Sequence, residues 1–262
     1  MKDHNFSESL RIIIVNREFE DNERELSLAI YHINKSSKPL EEYDRLAEGL
    51  KKGIPVSCII GYTLIGDVPI KINRNVLNPG PETVILIGKA VNYIIRLKSK
   101  MVLDLCTGSG AVAVTVAKKC RTKVVATDIS KKALEIAKHN ASENKVTVDF
   151  RLGDLLETVR GMMFDVIITN PPYVKSGAIA SLPRFVRDFA PLTAIDGGAD
   201  GLFFHRAIMS GAKDLLRSGG SLFIECEDDQ DKEIEGIAIK SGWEIKEKFP
   251  NKHGKIRGFR LM

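Results

Sequence analysis

The chain has 262 residues, 44% of them hydrophobic, which is enough apolar surface for one large core plus a small appendage. Its net charge of +5, from 39 basic and 34 acidic residues, comes without an aromatic-interleaved basic groove, so no dedicated nucleic-acid module is expected. No apolar run reaches about 18 residues, no signal-type leader is visible and the four cysteines lack Cys-x-x-Cys spacing, so we expect no membrane span, disulfide framework or metal, and a cytoplasmic location.

The first part of the chain is predicted to be helical up to about Gly53. Apolar residues recur at helical spacing between Leu10 and Ile33, and Pro39 begins a third helix. This part holds nine Lys or Arg against eleven Asp or Glu through Lys52, and it carries no cofactor motif. We therefore expect a substrate-recognition role for it.

Three regions are predicted. Residues 1–53 form a small helical domain, residues 54–80 a hairpin linker that turns at Gly66-Asp67, and residues 81–262 the catalytic domain. In the last region strands and helices alternate, which predicts an α/β fold with a doubly wound, Rossmann-like sheet of parallel strands. The final strands, near 243–249 and 256–261, are predicted to close this sheet as an antiparallel hairpin.

The segment from residue 101 to residue 119 is predicted to be a strand, a glycine turn and a helix. Thr107, Gly108 and Gly110 form the turn, where glycine lets the backbone approach a ligand closely, and we predict all three as cofactor contacts. Asp104 lies inside the strand. A carboxylate there is suited to an ammonium group, such as that of the methionine part of S-adenosyl-L-methionine.

A dinucleotide cofactor is an alternative for this segment. Gly108, Gly110 and Ala113 fit the G-x-G-x-x-G/A pattern, and Asp128 follows at roughly the expected acidic offset of about 20 residues. Asp104 argues against it, because that strand position is usually apolar in dinucleotide-binding proteins. The alternative would make the protein a dinucleotide-dependent oxidoreductase or a nucleotide binder.

Two further carboxylates follow predicted strands. The strand 123–127 ends at Asp128, which is placed to accept the hydroxyls of an adenosine ribose. A third strand, predicted over Val146–Phe150, leads to Asp154 and Leu155, which are placed to contact an adenine edge. We predict all three residues as cofactor contacts.

The clearest motif is Asn170-Pro171-Pro172-Tyr173, which follows the buried strand predicted for Phe164–Thr169. Two prolines end that strand abruptly, because proline cannot donate a ladder hydrogen bond. The Asn170 side chain and the Pro171 carbonyl then offer two acceptors suited to a planar nitrogen with two N–H groups, and Tyr173 offers a ring that can lie against a flat substrate. We predict Asn170, Pro171 and Tyr173 as catalytic residues, with Pro172 as a further acceptor contact and Asn170 also touching the cofactor.

The region between residues 174 and 198 is long for a connection without secondary structure, and such loops are usually functional. Its Arg184, Phe185 and Arg187 either contact the substrate or cover the site.

Taken in order, these motifs resemble class I S-adenosylmethionine-dependent methyltransferases, and Asn-Pro-Pro-Tyr resembles those that methylate a planar or amide nitrogen. The segments 78–83, 190–202 and 219–225 are similar to the HemK/PrmC type, the release factor glutamine methyltransferases. The resemblance covers the chain from about Pro55 to its end. It implies a seven-stranded methyltransferase sheet, S-adenosyl-L-methionine as cofactor, a peptide chain release factor as partner and Glu82 as a substrate contact.

Three features depart from that family. Gly80 stands where the family has arginine, Glu225-Cys226-Glu227 replaces a Glu-Ile-Gly-like strand end, and the segment before Pro55 is short. Gly80 and the short front segment favour a second hypothesis of the same chemistry, in which the acceptor is a small-molecule amide, amine or guanidine of a biosynthetic pathway, whereas the family-like core favours the release factor. In either case we expect direct methyl transfer in which the protein mainly orients the acceptor nitrogen.

Overall fold

The computed structural model describes residues 3–15 and 22–262, without the side chains of residues 3–5, 184 and 185. The helices of the described part are α1 (Asp3–Val15), α2 (Asn22–Lys35), α3 (Pro39–Lys51), α4 (Val56–Ile60), α5 (Pro81–Leu97), α6 (Ala111–Cys120), α7 (Lys131–Glu143), α8 (Arg184–Phe189), α9 (Phe203–Gly211) and α10 (Asp231–Lys240). The strands are β1 (Tyr62–Ile65), β2 (Val68–Lys71), β3 (Met101–Leu105), β4 (Lys123–Asp128), β5 (Asp149–Leu152), β6 (Phe164–Thr169), β7 (Leu216–Glu225), β8 (Ile245–Pro250) and β9 (Ile256–Leu261).

Within the described residues, seven strands form one sheet in the order β5-β4-β3-β6-β7-β9-β8. Strands β3 to β7 run parallel, and β9 lies antiparallel between β7 and β8. The predicted Rossmann-like methyltransferase sheet with its closing hairpin is therefore confirmed. The strand order reverses between β3 and β6, where Leu105 pairs with Thr169. Ligands of open α/β sheets bind at such a switch point, outside the carboxyl ends of the strands.

Both faces of the sheet are covered by helices. Alternate residues of β3 enter opposite cores, with Val102 packing under α5, α6 and α7 and Leu103 packing under α9 and α10. This alternation follows from the two-residue period of a strand, and continuous burial of both faces explains the unbroken apolar runs in the sequence.

The amino-terminal helices α1 to α4 share a separate apolar core. Leu10, Ile14, Leu46 and Leu50 are fully buried in it, which agrees with the helical spacing in the sequence. No helix of the described part is long and apolar enough to cross a bilayer.

The β1–β2 hairpin, which lies within the predicted linker 54–80, packs against both cores. Tyr62 packs against the amino-terminal core, whereas Ile70 is buried in the core of the sheet. Asn140 of α7 holds the hairpin by its backbone, because its side chain accepts from the Lys71 N–H at 2.8 Å and donates to the Lys71 carbonyl at 3.0 Å. The hairpin is thus fixed to the catalytic region.

One predicted strand is wrong in its bounds. The third strand covers Asp149–Leu152 rather than Val146–Phe150, because residues 144–146 bond back to α7 and end that helix. Before α9, the Asp200 side chain accepts from the Leu202 N–H at 3.1 Å, and the helix begins at Phe203.

Candidate active site

A cavity of about 470 Å³ opens at the switch point, beyond the carboxyl ends of β3, β4 and β6. Seven of the eight predicted cofactor contacts line it: Asp104, Thr107, Gly108, Asp128, Asp154, Leu155 and Asn170. Apolar side chains from other elements complete the wall, among them Val112, Ile129 and Phe203. The cavity therefore combines a polar floor at the strand ends with apolar sides.

Asp104 occupies the centre of the floor. It is 1% exposed, and its Oδ2 atom accepts from the Thr107 hydroxyl at 2.5 Å and from the Ala113 N–H at 3.0 Å. Burial raises the pKa of Asp104 to about 7, although both hydrogen bonds oppose the shift. A cation entering the cavity would favour the ionised form of this carboxyl.

Asp128 closes the next part of the floor. Its Oδ2 accepts from the Gly108 N–H and its Oδ1 from the Ser130 N–H, both at 2.8 Å. Burial raises the pKa of Asp128 above its ordinary value, and the backbone hydrogen bonds partly offset this. Each oxygen has a further lone pair, so the carboxylate can hold the glycine turn and also accept a ligand hydroxyl.

Gly110 is the predicted cofactor contact outside the cavity lining. Its φ is +78°, and a Cβ atom would lie 2.9 Å from the Ala137 Cβ. Gly110 therefore allows the start of α6 to approach α7 closely. Asp154 and Leu155 lie at the far wall, where Leu155 has a positive φ of 40°.

The Asn170 side chain is held by Thr83, a residue for which the sequence predicts no role. Its Nδ2 donates to the Thr83 hydroxyl oxygen at 3.0 Å, and the Thr83 hydroxyl donates to Glu225 Oε2 at 2.9 Å. Asn170 Oδ1 is buried and receives no hydrogen bond within the described part of the chain. A buried acceptor without a donor is costly, so this oxygen is suited to an N–H group of a bound ligand.

Tyr173 is part of the same network. Its hydroxyl donates to Glu225 Oε1 at 3.1 Å and accepts from Arg257 Nη2 at 3.1 Å, and the guanidinium lies over the ring, 5.6 Å from its centre. Burial, together with the charge of Glu225, raises the pKa of Tyr173 well above its ordinary value. One face of the ring thus carries Arg257, and the phenol stays protonated at neutral pH.

A second cavity, of about 940 Å³, lies between the amino-terminal helices, the hairpin and the catalytic region. Its wall includes Glu82 and Tyr173, two of the predicted substrate contacts, together with Glu225 and Arg257. Pro172 lines the smaller cavity, whereas Pro171 is buried and lines neither cavity. The two cavities share five lining residues: Val76, Leu77, Thr83, Asn170 and Ala194. Asn170 thus stands at the junction of two ligand-sized spaces.

The long 174–198 region folds back on the Asn-Pro-Pro-Tyr segment. The Val174 N–H donates to the Ile195 carbonyl at 2.9 Å, and the Gly197 N–H donates to the Val174 carbonyl at 2.8 Å. Arg187 is exposed and donates to the Ala180 carbonyl at 2.9 Å, so it stabilises the region itself. The side chains of Arg184 and Phe185 lie outside the described residues.

Thr83, Glu225 and Arg257 are the residues that motif reasoning missed. Thr83 and Glu225 lie within the segments 78–83 and 219–225 that resemble the family, but no local sequence pattern predicts a role for either. Their partners are distant in the chain: the residue numbers of Thr83 and Glu225 differ by 142, and those of Tyr173 and Arg257 differ by 84. No group of His, Cys, Asp and Glu side chains suited to a metal ion occurs among the described residues.

Comparison with known proteins identifies similar sequences. Residues 84–189 match the family model described as "Methyltransferase small domain". The release factor glutamine methyltransferase of Thermodesulfovibrio yellowstonii is 34% identical over 249 residues, which cover 88% of this chain and 89% of that protein. The enzyme of the same name from Clostridium acetobutylicum is 33% identical, over 88% of this chain and 78% of that protein.

Solved structures show the same fold at low sequence identity. The ribosomal protein L11 methylase from Lactobacillus delbrueckii subsp. bulgaricus aligns with a TM-score of 0.53 at 19% identity, covering 71% of this chain and 80% of that one. The hMettl16 catalytic domain in complex with MAT2A 3'UTR hairpin 6 aligns with a TM-score of 0.62 at 16% identity, covering 79% and 80%. At identities this low, the similarity concerns the fold alone.

Proposed function

Because this chain belongs to the release factor glutamine methyltransferase family, we propose that it methylates the side-chain amide nitrogen of a glutamine in a peptide chain release factor. It is an S-adenosyl-L-methionine-dependent methyltransferase. The proposal assigns the cofactor to the smaller cavity and the glutamine to the larger one. It also assigns recognition of the release factor to the amino-terminal helices, residues 1–53.

The residues of the smaller cavity fit the cofactor. The buried Asp104 carboxylate matches an ammonium group, and Asp128 has lone pairs left for two hydroxyl groups after bonding Gly108 and Ser130. Ile129 is 61% exposed although it is apolar, and it stands on the cavity wall where a flat ring can cover it. When bound, S-adenosyl-L-methionine supplies a methyl group already activated by its sulfonium.

The protein's own contribution is orientation of the acceptor. An amide nitrogen is a poor nucleophile, because its lone pair is delocalised into the carbonyl. Asn170 Oδ1 and the Pro171 carbonyl accept the two N–H groups of the glutamine, which raises the electron density of the nitrogen and aims its lone pair at the methyl carbon. When the nitrogen gains the methyl group it gives up one of its two hydrogens to solvent as a proton, so the product is a neutral N-methyl amide. Aligned reacting groups alone contribute roughly 7–11 kcal/mol to lowering a barrier.

One observation carries this proposal. Asn170 Oδ1 is a buried acceptor that receives no donor from the residues the structure describes, and it lies where the two cavities meet. An acceptor at that place is what a planar N–H group requires, and the neighbouring cavity of about 940 Å³ has room for a side chain presented by a protein loop.

The test is methylation of a purified release factor from the same organism. Incubation with S-adenosyl-L-methionine should add one methyl group, and fragmentation in a mass spectrometer should place it on a glutamine side chain. A release factor with that glutamine replaced by alanine is the matched control. A protein that binds the cofactor yet leaves the release factor unmodified would contradict the proposal. Methyl transfer to a small amide, amine or guanidine in its place would support the second hypothesis from the sequence.

A further inference from the structure

The orientation of the Asn170 amide is set by hydrogen bonding behind it. Thr83 has a single hydroxyl hydrogen, and it is donated to Glu225 Oε2. The Thr83 oxygen is then free only to accept, so the group of Asn170 that faces it must be the NH2 group. The oxygen of Asn170 is thereby turned towards the junction of the two cavities.

Glu225 in turn has both oxygens committed as acceptors. Arg257 donates to the Tyr173 hydroxyl oxygen, which leaves the Tyr173 hydrogen to be donated to Glu225 Oε1. Thr83 donates to the other oxygen. A carboxylate accepts at both oxygens, whereas a carboxylic acid must use one of them as a donor. The arrangement therefore fits the ionised form of Glu225.

The sheet itself brings these groups together. Thr169 pairs with Ile224 in the parallel register of β6 and β7, so the next residues, Asn170 just beyond β6 and Glu225 at the end of β7, lie side by side. Thr83, in the first turn of α5, lies against both of them.

From this geometry we propose that Glu225 is a positioning residue that, through the Thr83 hydroxyl, holds the amide oxygen of Asn170 towards the acceptor nitrogen. The inference rests on the proposed function for the identity of the acceptor. If Glu225 gained a proton, it would donate to Thr83, and Thr83 would then donate to Asn170 Oδ1. The Asn170 NH2 group would face the acceptor N–H, and two donors cannot bond each other.

The charge state of Glu225 reflects its surroundings. Glu225 is 2% exposed, and burial raises its pKa to about 7, although Thr83 and Arg257 lower it. The titratable or charged groups that face it from other elements are Glu82 of α5, Tyr173 after β6, His205 of α9 and Arg257 of β9. Of these, Glu82 raises the pKa of Glu225 further, and His205 donates to the Glu225 backbone carbonyl at 2.8 Å.

Two variants interrupt the relay at different links. Thr83→Val removes the hydroxyl at nearly constant volume, and Thr83→Ser keeps it. Glu225→Gln leaves one acceptor where two donors converge. Thr115→Val is the matched control, because Thr115 is buried in α6 with a hydroxyl that has no partner in the described part of the chain. An unchanged circular dichroism spectrum and melting temperature in each variant would show that the fold is intact.

The first measurement needs no acceptor. With saturating S-adenosyl-L-methionine, whose ammonium group should keep Asp104 ionised, the side-chain amide signal of Asn170, identified by its absence in Asn170→Ala, should shift with pH between about 6 and 8 in the wild type and in Thr83→Ser. It should not shift in Glu225→Gln or Thr83→Val. A shift that persists in either of these two variants would overturn the relay.

The second measurement is turnover on the release factor against pH. Thr83→Val and Glu225→Gln should lower kcat at pH 8 by ~10- to 100-fold, the loss typical of residues that orient a functional ligand from behind. The decline of wild-type kcat below about pH 7 should vanish in both, and Thr83→Ser should recover most of the rate. Wild-type kcat in Thr83→Val would overturn the inference. A pH-linked Asn170 signal without methylation of the release factor would instead contradict the proposed function.

Discussion

Gly197 lies so close to Tyr173 that a Cβ atom on it would be 2.7 Å from the Tyr173 Cα atom. This contact belongs to a short pairing in which the backbone of residues 195–198 runs beside the exit of the Asn-Pro-Pro-Tyr segment. The long 174–198 region therefore packs against Tyr173 and fixes its position.

Gly197→Ala should displace the Tyr173 backbone and lower methylation activity sharply, because backbone atoms on a packed segment cannot yield as a side-chain tip can. The strain should also lower the free energy of unfolding by about 1–3 kcal/mol. Gly177→Ala, in the same loop but with open space around its Cα, is the control and should leave stability unchanged. Denaturant unfolding and turnover measure both effects, and a Gly197→Ala protein as active as Gly177→Ala would refute the expectation.

Asn170→Ala should lower turnover by ~10²-fold or more, by analogy with losing one positioned hydrogen-bonding group of an active site. Cofactor affinity should stay nearly constant, since Asn170 lies where the smaller cavity, which is assigned to the cofactor, meets the larger one. Asn170→Asp keeps an acceptor but removes the N–H donated to Thr83, so it reports on the relay as well. If Asn170→Ala turned over its substrate at the wild-type rate, the motif would be a structural turn only.

Cofactor affinity should weaken as pH falls, because the proposed partner of the cofactor's ammonium group is the ionised form of Asp104. The pKa of Asp104 in the free protein is raised to about 7, so below that pH its proton must be lost on binding. The dissociation constant should rise by up to about tenfold per pH unit below 7. Calorimetry between about pH 5.5 and 7.5 measures this slope. In Asp104→Asn the affinity should be lower and the slope much flatter, and an unchanged slope would exclude the assignment.

Asp128→Ala should weaken S-adenosyl-L-methionine binding by ~1.5–3 kcal/mol, the range for charge-assisted hydrogen bonds. Part of this loss would come from the glycine turn, since Asp128 also holds the Gly108 N–H. Asp149→Ala, an exposed carboxylate at the start of the neighbouring strand, is the comparison and should have no effect. Tight binding of NAD to the wild type would contradict the cofactor assignment as a whole.

Arg24→Ala should raise KM for the release factor several-fold while leaving cofactor affinity unchanged. Arg24 lines the larger cavity and joins the amino-terminal helices to the hairpin linker 54–80, donating to the Pro79 carbonyl at 2.8 Å and to the Thr63 hydroxyl at 2.9 Å. Arg11→Ala, which removes an exposed ion pair of the same domain, is the matched control. Steady-state kinetics with the release factor decides the matter, and equal KM values for the two variants would count against a recognition role for this domain.

The amino-acid sequence by itself determined the fold class and the place of the smaller cavity. Unbroken apolar strands, a glycine turn after β3 and two prolines after β6 are local signals, and their physical basis lies within a few residues of each. Because parallel strands bring their carboxyl ends to one edge, Asp104, Asp128 and Asn170 could be expected to line a common space, as they do. Their roles in catalysis and binding stay predictions.

Only the tertiary structure decided what surrounds Asn170. The Thr83 hydroxyl and the Glu225 carboxylate become neighbours because β6 and β7 pair in one register and α5 crosses beside them. Which side-chain donor meets which acceptor depends on that register and on burial, and neither is encoded by residues close to the motif in the chain. The sequence could therefore predict that the Asn170 amide faces the substrate, whereas the direction in which its oxygen points is a property of the packed sheet.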